Sequence, residues 1–162
     1  MKSFLNQRLL SAEGLTPADA RSLVDTAVSL RRAAQSGLAQ PLLRGKNIAV
    51  LCVDPACRAA ADFDKAASLL GARVSRVQPD QSLFNGEGSG VRMLARLYDA
   101  IECDELPAEL VQRLQRQIGV PVYDGLLQPG HPLGALLAQM QGPATPDDAL
   151  YLAQAVLVQT VG

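Results

Sequence analysis

The run from Asn47 to Val53, NIAVLCV, constrains the fold of this chain more than any other stretch. It is almost wholly apolar and rich in β-branched residues, the pattern of a strand covered on both faces, as in a parallel sheet. A short loop follows, and then Arg58 to Leu70, Ala-rich and made of good helix formers, ends at Gly71, a residue suited to the C′ position. That is one β-loop-α unit. The pattern recurs with Arg73 to Val77 as a strand, Val91 to Tyr98 as a helix, Ala100 to Cys103 as a strand, Pro107 to Ile118 as a helix closed by Gly119, and Val120 to Tyr123 as a strand. Strands alternating with helices imply right-handed crossovers, so the expected fold is α/β, with four parallel strands and helices on both faces.

Three further helices flank this frame. Thr16-Pro17-Ala18-Asp19 is a start signal: a Thr N-cap, Pro at the first helical position and an acid in the first turn all suit free N–H groups. Leu23, Val24, Ala27, Val28 and Leu30 follow at helical spacing, and Gly37 is the expected stop. Pro132 to Met140 and Pro146 to Val161 are read as two more helices, separated by the breaker Gly142-Pro143. Leu150, Ala153, Val156, Leu157 and Val161 form an apolar stripe that must pack on something.

Residues 1–162 are long enough for one domain with a sizeable core. A net charge of −1, with basic residues scattered rather than grouped, argues against nucleic acid as a partner. No apolar run approaches the roughly 18 to 20 residues that span a bilayer, and Met1 to Leu10 lacks the long apolar stretch of a secretory signal, so no membrane association and a cytoplasmic location are expected. Cys52, Cys57 and Cys103 are odd in number with no C-x-x-C spacing, which points to neither a disulfide framework nor a zinc site. Cys52 and Cys103 fall inside apolar strands and are expected in the core. No metal and no cofactor is called for: Gly86-Glu87-Gly88-Ser89-Gly90 fits no standard phosphate fingerprint and reads as a flexible loop. Asp62 and Asp64 stand two apart on a helix and do not share a face.

In open α/β sheets ligands sit beyond the carboxyl ends of the strands, which directs attention to the segments after Val53, Val77, Cys103 and Tyr123. Leu42-Leu43-Arg44-Gly45-Lys46 leading into the first strand, Gly125-Leu126 after Val120-Pro121-Val122-Tyr123, and His131-Pro132 opening the next helix resemble the aspartate/ornithine carbamoyltransferase family. The likeness is to its N-terminal, carbamoyl-phosphate-binding domain. It runs in order from about Leu15 to Met140, with Val91 to Ile101 and Ile118 to Leu126 in register and a small gap near Glu87. The resemblance implies a second domain after the position of Met140, for which there is no counterpart here, and likens residues 145–162 to the family's closing C-terminal helix, which packs back on the first domain.

The same resemblance locates a degraded pocket. The family loop after the first strand reads Ser-Thr-Arg-Thr-Arg; here it is Ala56-Cys57-Arg58-Ala59-Ala60, so one Arg survives and the other donors are gone. The family Arg after the third strand aligns with Asp104, which reverses the charge. In the family's His-Pro-x-Gln, His131 and Pro132 remain but the Gln position is Gly134, and the lysine-bearing loop is represented by Gly86 to Gly90. A hydrogen bond to a charged group contributes about 1.5 to 3 kcal/mol, so losing four costs on the order of 6 kcal/mol, roughly four decades of affinity.

The resulting expectation is a carbamoyltransferase-like protein without catalytic activity, kept for assembly or regulation. Residual ligand-binding positions are Arg58, His131 and Cys57, with Arg58 either an anion anchor or a solvent-facing arginine, and Cys57 either a thiol activated by its helix N-terminus or a drifted threonine. A homotrimer is the assembly the resemblance implies. The alternatives are a subunit or partner of a full-length active carbamoyltransferase, and a small-anion sensor using Arg58.

Overall fold

A computed structural model describes residues 15–85 and 88–162, so Met1 to Leu10 and the Gly86-Glu87 pair lie outside the described residues. The chain runs α1 (Pro17–Gln35), β1 (Asn47–Cys52), α2 (Arg58–Leu69), β2 (Arg73–Val77), α3 (Gln81–Phe84), α4 (Gly88–Leu97), β3 (Ala100–Asp104), α5 (Ala108–Gln117), β4 (Val122–Asp124), a 3₁₀ helix (Pro132–Gln139) and α6 (Asp148–Thr160). All strand pairs are parallel, in the order β2-β1-β3-β4.

The apolar character of β1 follows from its central place. Ile48, Val50 and Cys52 face a core shared with Leu23 and Ala27 of α1, Phe63 of α2 and Leu152 and Val156 of α6. Ala49 and Leu51 face the other side, among Val91 and Leu94 of α4 and Leu110 and Leu114 of α5. Every residue of β3 is buried, whereas the edge strand β2 is largely exposed and carries Arg73 and Arg76, charges that discourage pairing with another chain. Among the described residues no helix is long and apolar enough to cross a membrane.

The termini of the helices show which local signals acted. Thr16 and Asp19 form a reciprocal capping box at the start of α1. The similar Thr145-Pro146-Asp147-Asp148 does not repeat it: α6 begins at Asp148, whose carboxylate accepts from the Thr145 N–H and hydroxyl and from Arg31. Gly88, Ser89 and Gly90, expected in a flexible loop, are already helical at the start of α4. The Pro132 segment winds as a 3₁₀ helix, with a proline and a glycine in its first three positions.

Helix α6 packs back on the sheet and is buried on most of its circumference. Its polar side chains in this setting are all engaged. Gln154 donates to the Ala66 carbonyl of α2 at 3.0 Å, Thr160 meets the Tyr123 hydroxyl of β4, and Asp148 meets Arg31 of α1 at 3.1 Å.

Candidate functional site

The strand order places a topological switch point between β1 and β3, since α2 leads from β1 to one neighbour and the later strands build on the other side. Cys52, the last residue of β1, lies opposite Asp104, the last residue of β3, so the two side chains share a face of the sheet. The loop after Cys52 folds back on itself: the Asp54 carboxylate accepts from the Ala56 N–H, its carbonyl accepts from the Cys57 N–H, and the Cys52 thiol donates to that carbonyl at 3.0 Å. This turn delivers Cys57 to the N-cap of α2, where its side chain caps nothing. The Cys52 and Cys57 sulfurs and a Glu105 carboxylate oxygen lie within 4.8 Å of one another.

The far wall comes from β3 and the loop after β4. Glu105 adopts φ 59°, a left-handed conformation rare for a residue with a side chain. Gly125, at φ 62°, turns the chain after β4 so that the Leu126 N–H reaches Glu102 Oε1 at 3.1 Å, and a Cβ at Gly125 would stand 2.6 Å from Gln128 Cγ. Gln128 Nε2 then donates to Asp104 Oδ1 at 3.1 Å and to Cys57 Sγ at 3.6 Å. Glu102 Oε2 and Asp104 Oδ2 are buried without a hydrogen-bond partner.

Burial governs the electrostatics. It raises Glu102 well above the usual carboxylate range, with the Asp104 charge adding to the effect. It raises Asp104 to about 6 against the bond from Gln128, and raises Asp124 at the end of β4 as well. The Cys52 thiol is pushed up to about 11, by burial first and then by a hydrogen-bond interaction with the neighbouring free Cys57 thiol. β3 and the end of β4 therefore carry carboxyl groups that hold their protons above the usual carboxylate range.

The three positions expected to bind a ligand are placed apart in role. Cys57 joins Cys52, Glu105 and Gln128. The Arg58 side chain is 93% exposed, and its Nε stands 3.8 Å from Asp62 on the same helix. His131 caps the 3₁₀ helix: its Nδ1 accepts from the Leu133 N–H at 3.0 Å, and burial lowers its pKa to about 4, leaving the ring neutral. Cys52 and Cys103 are buried as expected, on opposite faces of the sheet. Asp62 and Asp64 part company, Asp64 reaching Arg76 and Ser68. The residues that sequence reading passed over are Glu102, Glu105, Gln128 and the approach of Cys52 to Cys57; a glutamate in the middle of the otherwise apolar run Ala100 to Cys103 was the available signal for the first.

Comparison with known proteins agrees with this frame. Residues 7–141 match the aspartate/ornithine carbamoyltransferase carbamoyl-phosphate-binding domain. The catabolic ornithine carbamoyltransferase of Pseudomonas putida is 37% identical over 130 residues, covering 78% of this chain and 39% of that protein, and that of Burkholderia mallei is 38% identical with the same coverage. The chain thus spans about two fifths of the length of the relatives it matches. The ornithine carbamoyltransferase of Pyrococcus furiosus superposes with a TM-score of 0.70 at 28% identity, over 81% of this chain and 43% of that one. An aspartate transcarbamoylase of Trypanosoma cruzi shares the fold with a TM-score of 0.65 at 22% identity, over 80% and 42% of the two chains. With its four parallel strands in the order β2-β1-β3-β4, the chain belongs to the aspartate/ornithine carbamoyltransferase family, which it matches through the carbamoyl-phosphate-binding domain.

Proposed function

We propose that this carbamoyltransferase-family domain does not bind carbamoyl phosphate with ordinary strength, does not itself transfer a carbamoyl group, and serves in assembly or regulation. The observation that carries this reading is Asp104, a buried carboxylate with an unpartnered oxygen at the end of β3, where the family resemblance calls for an arginine; Glu102, buried with an unpartnered oxygen of its own, lies two residues before it. A phosphate brought there meets acceptors instead of donors, and a developing negative charge gains nothing from them. Arg58 supports the same reading, since its guanidinium leans along α2 toward Asp62. His131, neutral and holding a backbone N–H on Nδ1, retains only Nε2 for a ligand.

On this reading residues 145–162 are the family's closing helix, the chain assembles as a cytoplasmic homotrimer, and a full-length carbamoyltransferase is its candidate partner. Calorimetric titration of the chain with carbamoyl phosphate is expected to show no binding heat. Saturable binding in the micromolar range, or carbamoylation of ornithine or aspartate that disappears in His131→Ala, overturns the proposal. Sedimentation equilibrium tests the trimer, and co-purification with a complete carbamoyltransferase tests the partner.

A further inference from the structure

We propose that Cys52, Cys57 and Glu105, with water in the fourth position and Asp104 beside them, form a binding site for a soft divalent cation of the zinc type at the β1/β3 switch point. Two sulfurs and a carboxylate oxygen drawn from three separate positions already lie within 4.8 Å of one another. Zinc bonds of about 2.3 Å to sulfur and 2.0–2.2 Å to oxygen put tetrahedral ligand atoms roughly 3.3–3.8 Å apart, so closing the site takes small rotations, which the exposed Glu105 is free to make. A second observation points to the same place. Asp104 is 1% exposed, its Oδ2 is buried and has no hydrogen-bond partner, and the residue sits opposite Cys52 in the strand register.

Gln128 donates to both Asp104 Oδ1 and Cys57 Sγ, the kind of outer contact that orients metal ligands. Two thiolates select zinc, cadmium or cobalt over magnesium and calcium, which prefer all-oxygen shells. On binding, the Cys52 and Cys57 thiols each lose a proton to solvent and the sulfur electron pairs pass to the metal, with no oxidation or reduction. The high thiol pKa of Cys52 is no obstacle, because a coordinating cation deprotonates its thiol outright. Cation binding here stands on the thiol and carboxylate geometry, whichever way carbamoyl phosphate behaves.

The test is to titrate the reduced full chain with cobalt(II) and then displace the cobalt with zinc. Saturation at one equivalent is expected, with a thiolate-to-cobalt charge-transfer band in the near ultraviolet and intense tetrahedral bands in the visible. Cys57→Ser should abolish the charge-transfer pattern or weaken binding by about 100-fold or more, beyond the usual effect of losing an outer contact. Cys103→Ser, on the opposite face of the sheet, should leave it intact. Glu105→Gln, at an exposed position and nearly isosteric, should weaken binding while circular dichroism stays unchanged. A weak octahedral spectrum, no saturable binding, equal loss in Cys103→Ser, or an unaltered affinity in Glu105→Gln overturns the proposal.

Discussion

Asp104 and His131 make the stability of the chain respond to pH in opposite directions. The folded-state pKa of Asp104, about 6, exceeds its ordinary 3.8, so between those values the folded chain holds more protons than the unfolded one, and stability falls as pH rises through that window. His131 is lowered from 6.5 to about 4, so the unfolded chain takes up the proton first and stability is lost as pH falls from 6.5 toward 4. The two contributions oppose one another in urea titrations of the native chain, where the raised carboxyls of Glu102 and Asp124 add to the Asp104 slope. Asp104→Asn should remove part of the falling slope, so that the stability profile of the variant tilts toward a rise with pH relative to the native chain. His131→Asn, which keeps a capping oxygen, should expose the opposite slope; profiles parallel to the native one in both variants would contradict these assignments.

Helix α6 is held to the rest of the molecule by polar groups that burial makes expensive to break. Arg31 of α1 donates to Asp148 and to the Gln141 carbonyl, and Arg31 and Asp148 are only 5% and 6% exposed. Removing one partner strands the other, so Asp148→Ala should lower unfolding free energy by about 3–5 kcal/mol, while a hydrophobic replacement of both residues should recover much of that loss. Tyr123→Phe is a milder change, about 1 kcal/mol, because Thr160 keeps its bond to the Val156 carbonyl within α6. In the loop after β4, Gly125→Ala should cost about 1–3 kcal/mol from its left-handed backbone alone. The new Cβ also displaces Gln128, so the same variant should weaken cobalt binding at the thiol site.

For the molecule as a whole, the sheet order decides where chemistry can occur. Placing β1 and β3 side by side brings the loop after Cys52 and the end of β3 to one crevice, the position where open α/β sheets hold ligands. This crevice carries carboxylates and thiols, and the guanidinium of Arg58 points out of it into solvent. A negatively charged ligand is disfavoured there and a soft cation is favoured, so zinc should raise the melting temperature of the reduced chain whereas carbamoyl phosphate should leave it unchanged.

The local features of this fold were written in short stretches of chain. The apolar run of β1, the Thr16 capping box and Gly71 after α2 declare themselves within a few residues, because they depend on backbone sterics, hydrogen bonding and burial period alone. The succession of strands and helices likewise announced a parallel sheet before any contact was known. Where a signal needed a distant partner, sequence fell silent: Asp148 at the start of α6 is drawn inward by an arginine on α1. The meeting of Cys52, Cys57 and Glu105 was silent in the same way. Their proximity depends on the Asp54 turn, the left-handed turn at Glu105 and the parallel register of β1 with β3, and only the packed sheet brings those three together.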